Sequence, residues 1–373
     1  MSRSSLIDEQ YLRIAARLAV RGHGGAEPNP LVGCVVVRGR NEIVGWGYHA
    51  KFGGPHAEIV ALRRAGSRAQ GATGFLTLEP CNHQGKTGPC TEALIAAGVA
   101  RVVIARRDPN PIAAGGVERL KNAGVAVEVI DGIEDAIAAS DPFAYRVRSG
   151  LPWVIAKWAQ TIDGAIATRA GQSQWISSDA SRRLLHRERG RVDAILTSVG
   201  TILADDPLLT ARVRRPRRIA RRVIIDPLLK TPLNARVIAT ASMVPTTILT
   251  VEASVTTNES VVNRLRQAGV EVIGLDSPGT EIALAPALRE LSQKYAVSNV
   301  LLESGAGLLS RLFQQRLVRE AWIFTGPLLL GDDQAKRCVG GMTIAKLTDG
   351  IGMELQTLRR RGDDIVARYR IKG

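Results

Sequence analysis

Apolar and polar positions follow two periods along this chain, and their order predicts its secondary structure. Apolar residues at helical spacing predict an amphipathic helix over 6–22. The apolar runs 31–37 and 43–48 flank a polar turn and predict a hairpin. Strand and helix patterns then alternate, with helices predicted at 56–65, 91–97, 116–122 and 133–146, and strands at 75–78, 101–105 and 125–130. This alternation indicates helices packed on a mostly parallel sheet.

A second series begins after the segment 148–152, which we interpret as a domain boundary. Its pattern predicts strands at 153–159, 194–197, 222–225, 246–250, 270–273 and 299–303, and helices at 179–189, 261–268 and 284–294. A length of 373 residues is too great for one ordinary core. We therefore expect two α/β domains, 1–148 and 152–373.

The last of these strands opens into a glycine loop, residues 304–309, that enters a further predicted helix. Backbone N–H groups at the start of a helix can bind a phosphate. A plain strand-to-helix turn without a ligand explains the same sequence. The G-x-G-x-x-G pattern is absent after the early strands, which argues against a Rossmann-type dinucleotide site.

Composition places the chain among globular proteins, with 45% hydrophobic and 23% charged residues. No apolar run approaches the ~20 residues that span a bilayer, and the first residues lack the apolar run of a signal peptide. Because only four cysteines are present, a reducing compartment is indicated. The sequence predicts a cytoplasmic protein that is not bound to membranes.

The net charge of +15 raises the question of nucleic-acid binding. Seven arginines fall within residues 212–222, and we interpret this segment as a solvated basic loop, part of it near a substrate phosphate. Aromatic residues make up only 4% of the chain, so stacking platforms for bases are few. We expect no nucleic-acid partner; a base-editing deaminase acting on tRNA is the alternative.

The candidate chemistry lies in His56-Ala57-Glu58, followed by Pro80-Cys81 and then, after a spacer of eight residues, Cys90. His56, Cys81 and Cys90 have the donor types that hold tetrahedral Zn²⁺. Three ligands leave one position open, as in catalytic zinc sites. Glu58 is then available to move protons, and H-x-E followed by a cysteine pair is typical of zinc deaminases. There, zinc supplies hydroxide near neutral pH for attack on the ring carbon that carries the amine.

Other interpretations of these residues stay open. Cysteines are often buried as small apolar residues, and we expect this of Cys34 and Cys338. A closed structural zinc site would need a fourth ligand, for which His83 is the nearby candidate. A zinc scaffold without catalysis is a further alternative. The long spacer between the cysteines departs from the usual C-x-x-C of deaminases.

Taken together, the two halves resemble the bifunctional deaminase/reductase family of riboflavin biosynthesis over nearly the whole chain. In the first half the resemblance rests on the segments 29–34, 45–49, 56–58, 78–83, 87–91 and 108–111. In the second half it rests on 157–164, 173–176, 200–201, 205–212 and 303–307. The eight-residue spacer is the one that this family shows.

The resemblance implies a cytidine-deaminase-like three-layer α/β/α domain followed by a dihydrofolate-reductase-like α/β domain. The first would hydrolyse the 2-amino group of 2,5-diamino-6-(5-phosphoribosylamino)pyrimidin-4(3H)-one with Zn²⁺. The second would use NADPH to reduce the ribosylamino product to the ribitylamino form. It also suggests a homodimer or higher homo-oligomer formed through the reductase domain.

Site residues follow from the matching motif positions. The resemblance implies NADPH contacts by Ala159, Trp175, Thr201, Asp205, Gly305, Ala306, Gly307, Leu308 and Leu309. It implies substrate contacts by Asn29, His49, Asp108, Asn110, Ser173, Arg189, Leu209, Arg212 and Glu303. We expect an arginine to clamp the 5′-phosphate and Glu303 to accept hydrogen bonds from sugar hydroxyls.

Weaker interpretations of the second half stay open. Trp175 could be core packing, and residues 205–207 could be a mere turn. Ser198 stands where the family usually has glycine, so its Cβ could narrow the cofactor cleft, and Arg319 replaces a usual acidic residue. A degenerate second domain without NADPH binding is therefore an alternative.

Overall fold

The computed structural model describes residues 3–39, 41–84, 88–277 and 279–372, with side chains from residue 6 onward. The chain divides into two compact units, Met1–Leu151 and Pro152–Gly373. Each is an α/β unit with its own sheet. Within the described residues, no helix combines the length and the apolar character needed to cross a membrane.

The first unit is built on five strands in the order β2-β1-β3-β4-β5. The strands are β1 (Gly33–Arg38), β2 (Glu42–Tyr48), β3 (Thr73–Leu76), β4 (Arg101–Ile104) and β5 (Ala126–Val129). The helices are α1 (Arg3–Ala19), α2 (Ala57–Ala65), α3 (Cys90–Ala96), α4 (Gly116–Asn122) and α5 (Glu134–Ser149). β1 pairs antiparallel with β2 and β3, whereas β3, β4 and β5 are parallel. The predicted hairpin and mostly parallel sheet are confirmed.

Strand β1 shows why this unit has three layers. Alternate side chains of a strand point to opposite faces, and β1 is buried on both. Cys34 and Val36 join a core formed with α2, α3 and α4, whereas Val35 and Val37 join a second core formed with α1 and α5. Helices therefore cover both faces of the sheet. The expected α/β/α arrangement is confirmed, and Cys34 is buried as predicted.

Two glycines of β2 bring helix α2 against the sheet. A Cβ on Gly45 would lie 2.2 Å from the Ala61 carbonyl oxygen, and one on Gly47 would lie 2.4 Å from that of Ala57. Any larger residue would push the helix away. Because α2 begins just after His56, this close packing sets the position of the candidate metal ligand.

The second unit contains nine strands in the order β11-β10-β9-β8-β12-β6-β13-β16-β15, and a two-stranded ribbon of β7 and β14. The strands are β6 (Trp153–Gln160), β7 (Ala165–Ala167), β8 (Ala194–Ser198), β9 (Arg221–Ile225), β10 (Thr246–Val251), β11 (Val270–Leu275), β12 (Asn299–Leu302), β13 (Val318–Thr325), β14 (Lys336–Arg337), β15 (Met353–Arg361) and β16 (Asp364–Ile371). The helices are α6 (Asp179–Arg189), α7 (Val199–Asp205), α8 (Arg236–Ala239), α9 (Glu252–Thr257), α10 (Glu259–Gln267), α11 (Leu284–Tyr295) and α12 (Ala306–Gln314). The large sheet is parallel from β11 to β13 and antiparallel in β13-β16-β15.

The interpretation of residues 212–222 as a solvated loop is wrong for its last part. Arg222 is fully buried in β9, and its guanidinium donates to the carbonyl oxygens of Leu208, Val237 and Val244 and to the hydroxyls of Thr240 and Thr246. These bonds replace the water that the cation loses on burial. Arg218 pairs with Asp193, and Arg221 lies 3.1 Å from Glu271. The exposed arginines of the segment are 212, 214, 215 and 217.

Candidate functional site

Three elements of the first unit bring the candidate metal ligands together. His56 is the residue before α2, Cys81 follows β3, and Cys90 is the first residue of α3. The Sγ atoms of Cys81 and Cys90 lie 3.5 and 3.3 Å from His56 Nδ1. The three donor atoms all lie within 4.8 Å of one another. Residues 85–87 of the spacer lie outside the described residues.

These distances fit zinc. Tetrahedral zinc, with Zn–S bonds of ~2.3 Å and a Zn–N bond of ~2.0–2.1 Å, places nitrogen and sulfur ligands about 3.6 Å apart. Among the described residues, the cluster of possible metal ligands comprises His56, Cys81 and Cys90 and does not include His83. A closed site completed by His83 is therefore not supported, and one ligand position is left open.

Glu58 lies in the first turn of α2 and is 3% exposed. In the described part of the chain, nothing forms a hydrogen bond with its Oε2 atom. Burial, followed by the nearby Cys81 thiolate, raises the pKa of Glu58 to about 7. A buried carboxylate oxygen without a partner has the chemistry of a group that exchanges protons with a bound molecule.

Cys81, Cys90 and His56 shift one another's pKa values. The hydrogen bond from Cys90 lowers the pKa of Cys81 to about 4. The same bond, together with burial, raises the pKa of Cys90. The Cys81 thiolate in turn raises the pKa of His56. Negative charge therefore concentrates on sulfur, as a cation site requires.

A cavity of about 240 Å³ opens beside this cluster. It joins the predicted metal and catalytic residues His56, Glu58 and Cys81 to all four predicted substrate residues of the first unit. These four are Asn29, His49, Asp108 and Asn110, and the lining also includes Glu79 and His83. Of the residues predicted for this site, Cys90 alone is absent from the lining, and its side chain is fully buried.

His49 and Asn29 form an oriented pair in this cavity. Burial lowers the pKa of His49, so its ring is neutral near pH 7. Nδ1 of His49 lies 3.0 Å from the Pro55 carbonyl oxygen and donates to it. Nε2 then accepts from the Asn29 amide nitrogen at 3.1 Å. The amide nitrogen of Asn29 is thus committed to His49, which leaves its carbonyl oxygen as an acceptor.

Glu79 is a residue that the sequence analysis did not assign. It is 4% exposed, and its two carboxylate oxygens accept from the backbone N–H groups of Asp108 and Val117 at 3.1 and 2.9 Å. Asp108 in turn accepts from the backbone of Asn110 at 2.8 Å. Glu79 therefore holds the loop that carries two predicted substrate residues. Its place directly before Pro80-Cys81 was the available sequence signal.

Several of the predicted residues of the second unit lie at one edge of its sheet. Ala159 lies near the carboxyl end of β6, α7 with Thr201 and Asp205 begins where β8 ends, and Glu303 and Gly305 follow β12. These three strands are parallel neighbours, so their carboxyl ends meet. Ligands of open α/β sheets bind at this edge.

Three hydroxyl groups meet there. Ser198 Oγ lies 2.9 Å from Ser304 Oγ and 3.4 Å from Thr201 Oγ1, and Thr201 accepts from the Gly305 N–H at 3.2 Å. Ser198 has a φ of −115°, an extended backbone that any residue adopts. The serine at this position is therefore unstrained, and its hydroxyl joins the cluster.

Arg189 and Glu303 form a bidentate ion pair with distances of 2.7 and 2.8 Å. Both side chains are 11% exposed. The remaining Arg189 nitrogen donates to the Thr210 carbonyl oxygen at 3.3 Å. Burial lowers the pKa of Lys157, which interacts electrostatically with Glu303 and was not assigned from the sequence. The guanidinium of Arg189 is thus occupied, whereas Arg212 is exposed.

Side-chain burial tests several other predictions for the second unit. Leu209, Leu308 and Leu309 have buried side chains, so only their backbone could reach a ligand. Trp175 is 66% exposed, which excludes core packing. Cys338 is half-buried, so the expectation that it is buried is wrong.

Comparison with known proteins identifies both units. Residues 6–106 match the cytidine and deoxycytidylate deaminase zinc-binding region, and residues 152–367 match the RibD C-terminal domain. The chain is 37% identical to the riboflavin biosynthesis protein RibD of Aquifex aeolicus (strain VF5), with 96% of this chain and 97% of the relative covered. It is also 37% identical to RibD of Escherichia coli (strain K12), with 96% and 98% covered.

Solved structures agree. Acinetobacter baumannii RibD (form 2) is 33% identical, with a TM-score of 0.82 over 99% of this chain and 100% of that one. A diaminohydroxyphosphoribosylaminopyrimidine deaminase/5-amino-6-(5-phosphoribosylamino)uracil reductase from Thermotoga maritima is 30% identical, with a TM-score of 0.81 over 99% and 100%. With such identity over nearly its whole length, the chain belongs to the RibD family of bifunctional riboflavin-biosynthesis deaminases and reductases.

Proposed function

We propose that His56, Cys81 and Cys90 hold the zinc of the deaminase and that Glu58 is its proton carrier. As a RibD, the chain is a zinc-dependent deaminase and an NADPH-dependent reductase of riboflavin biosynthesis. The observation that carries the residue assignment is the three-donor cluster beside the buried, unpartnered Oε2 of Glu58. Zinc bound there would lower the pKa of a water molecule to about 7.

In this proposal Glu58 accepts the proton of the attacking water at Oε2. It delivers this proton to the ring nitrogen, then takes the second proton from the hydroxyl that has added to the ring and passes it to the departing ammonia. Asn29 offers its carbonyl oxygen to ring N–H groups because His49 holds its amide nitrogen. Asp108 and Asn110, held by Glu79, contact the same substrate from the facing loop. The substrate is 2,5-diamino-6-(5-phosphoribosylamino)pyrimidin-4(3H)-one.

In the second unit we assign NADPH to Ala159, Trp175, Thr201, Asp205 and the backbone of residues 305–309. NADPH supplies the hydride, and the protein orients it. We assign the phosphorylated intermediate to Ser173, Leu209, Arg212 and the Arg189–Glu303 pair. Since Glu303 occupies Arg189, we give the phosphate clamp to Arg212, and Arg189 acts by holding Glu303 and Thr210.

Replacing Arg212 by glutamine should raise the KM of the reductase for its phosphorylated substrate by about 10–100-fold, because a charge-assisted bond to phosphate is lost. The dissociation constant for NADPH should not change. Steady-state kinetics and an NADPH titration measure both. Arg266→Gln, an exposed arginine of α10, is the matched control. An unchanged KM would remove Arg212 from the site.

The function is tested by a coupled assay on the purified chain with the diaminopyrimidinone substrate. Ammonia release and NADPH oxidation are followed together, with and without a zinc chelator. Ammonia followed by NADPH consumption is the expected result. Ammonia alone would point to a degenerate reductase. If zinc-loaded protein yields neither, the assigned substrate is wrong, and salt-sensitive RNA binding becomes the next test.

We also assign the chain to the cytoplasm and to a homodimer formed through the reductase unit. All four cysteines are free thiols, which suits a reducing compartment. β15 ends the large sheet, and the exposed apolar residues Leu355, Leu358 and Ile365 lie on the β15–β16 hairpin. An exposed apolar edge of this kind invites pairing with a second chain.

Light scattering should therefore give a mass near twice the 40.0 kDa of one chain. Leu355→Lys combined with Leu358→Lys should shift the mass toward one chain, since two charges would then face the partner. Ile219→Lys changes another exposed apolar residue and should leave the mass unaltered. A wild-type mass of one chain would refute the dimer.

A further inference from the structure

Asp364 is a buried carboxylate in the hairpin of β15 and β16. It is 1% exposed. Its Oδ2 atom accepts from both the backbone N–H and the hydroxyl of Ser178, at 2.8 and 2.7 Å. Its Oδ1 atom has no hydrogen-bond partner among the described residues. Burying a carboxylate is costly, and here every hydrogen bond found for it goes to one residue, 186 positions away in sequence.

Ser178 is the residue at which helix α6 begins. Its hydroxyl accepts from the backbone N–H of Ser181 at 3.4 Å and so caps the helix. Ser178 also directly follows the loop of residues 173–177, which contains Ser173 and Trp175. By holding Ser178, Asp364 fixes the start of the helix and the end of this loop together.

The placement of Trp175 depends on the start of α6. Its ring is 66% exposed, so the hydrophobic core does not hold it. Instead the guanidinium of Arg182, in α6, stacks on the ring at 4.4 Å. The same guanidinium donates to the Ser177 carbonyl oxygen at 2.5 Å. A shift of the first turn of α6 would therefore move the ring.

On its other side, the loop of residues 173–177 packs too closely against the chain to move with such a shift. A Cβ built on Gly326 would lie 1.9 Å from the Ile176 carbonyl oxygen. The loop backbone is thus pressed against the chain just beyond β13. With Ile176 in place on this side, the anchor at Ser178 decides how the loop presents Ser173 and Trp175.

We propose that Asp364 is a positioning residue that presents the 173–177 loop to NADPH. The inference rests on the proposed function, in which Trp175 contacts that cofactor. Asp364 does not touch the cofactor itself. It acts through Ser178 and α6. The β15–β16 hairpin that carries it is separate in sequence from the glycine loop, residues 304–309, and from the arginine-rich segment, residues 212–222.

The test uses the whole 373-residue chain and begins with three substitutions. Asp364→Ala removes the carboxylate acceptor of Ser178 and leaves its hydroxyl only the Arg361 carbonyl oxygen at 3.2 Å. NADPH binding should weaken by up to ~100-fold, about the most that a lost hydrogen bond to a charged group costs. Asp364→Asn keeps one oxygen as acceptor and places its amide at the unpartnered position, so binding should stay near wild type. Asp363→Ala, whose side chain is 79% exposed in the same turn, is the matched control and should bind NADPH normally.

NADPH affinity is measured by titration, and the reductase KM for NADPH is compared with its kcat. Circular dichroism and the thermal unfolding transition of the second unit report whether the variants are folded, and ammonia release by the first unit should stay unchanged. Should Asp364→Ala fail to fold, Ser178→Ala tests the same link and should weaken NADPH binding by a smaller factor. Trp175→Ala gives the loss expected when the ring itself is removed.

Weaker NADPH binding in Asp364→Ala, with Asp364→Asn and ammonia release unchanged, supports the inference. If Asp364→Ala lowers only the unfolding temperature while Trp175→Ala binds NADPH poorly, Asp364 is merely structural and the inference is wrong. If Trp175→Ala binds normally while Asp364→Ala does not, the route through Trp175 is wrong. Wild-type protein that binds no NADPH would instead overturn the proposed function.

Discussion

Replacing Glu58 by glutamine should reduce ammonia release by at least about 10²–10⁴-fold, the usual contribution of a general acid–base group. Glutamine has nearly the same shape but can neither accept the proton of water nor return it to the leaving ammonia. Glu58 is not one of the three clustered donors, so zinc content should stay at that of wild type. NADPH oxidation, supplied with the deaminated intermediate, should also be unaffected.

The measurement combines ammonia assay, metal analysis and reductase kinetics on the same preparation. Glu118→Gln changes an exposed carboxylate of α4 and serves as the matched control. Substantial deamination by Glu58→Gln would show that another group moves the proton. Loss of zinc in this variant would instead make Glu58 part of the metal site.

Replacing His56 by alanine should remove zinc and, with it, deamination. Changing a residue that merely supports a metal ligand typically weakens binding by ~10–100-fold, and loss of the ligand itself should exceed this. The buried sulfurs of Cys81 and Cys90 would then face each other without a cation. Because metal binding contributes to folding free energy where a site is buried, the first unit should also unfold at a lower temperature.

Metal analysis and thermal unfolding follow the change, and a chelator added to wild-type protein should reproduce it. Cys338→Ser removes a thiol outside the cluster and should retain zinc. If the two units fold independently, NADPH oxidation in His56→Ala should remain measurable. Full zinc occupancy in this variant would place the metal elsewhere.

Most of the secondary structure of the first unit was predicted from local sequence patterns. The period of apolar residues depends on neighbours in sequence, which is why the hairpin and the helices α1 to α5 were predicted within a few residues of their observed bounds. The proposed ligands could also be found from the sequence, because His56 and Cys90 lie at the starts of helices that the pattern predicts. The largest differences are three residues: α1 runs from Arg3 to Ala19 rather than over 6–22, and α5 runs on to Ser149, with Pro142 inside it.

Pairing between distant segments decided the rest. No strand was predicted beyond residue 303, yet β13, β15 and β16 complete the large sheet. The charge of residues 212–222 predicted exposure, but Arg222 lies in a strand whose neighbours supply carbonyl and hydroxyl acceptors. Sequence cannot reveal these acceptors, because they come from three separate segments that meet only in the fold.

The sequence by itself determined the two α/β halves and the resemblance that named both reactions, and it predicted the zinc-ligand set with Glu58. Each of these features depends on residues that are close in sequence or on a recognisable sequence motif. Tertiary structure alone decided that Glu303 occupies Arg189, that Glu79 holds the Asp108 loop, and that Asp364 anchors Ser178. These are contacts between chain segments 29 to 186 residues apart, and burial and register, which local patterns do not encode, bring them together.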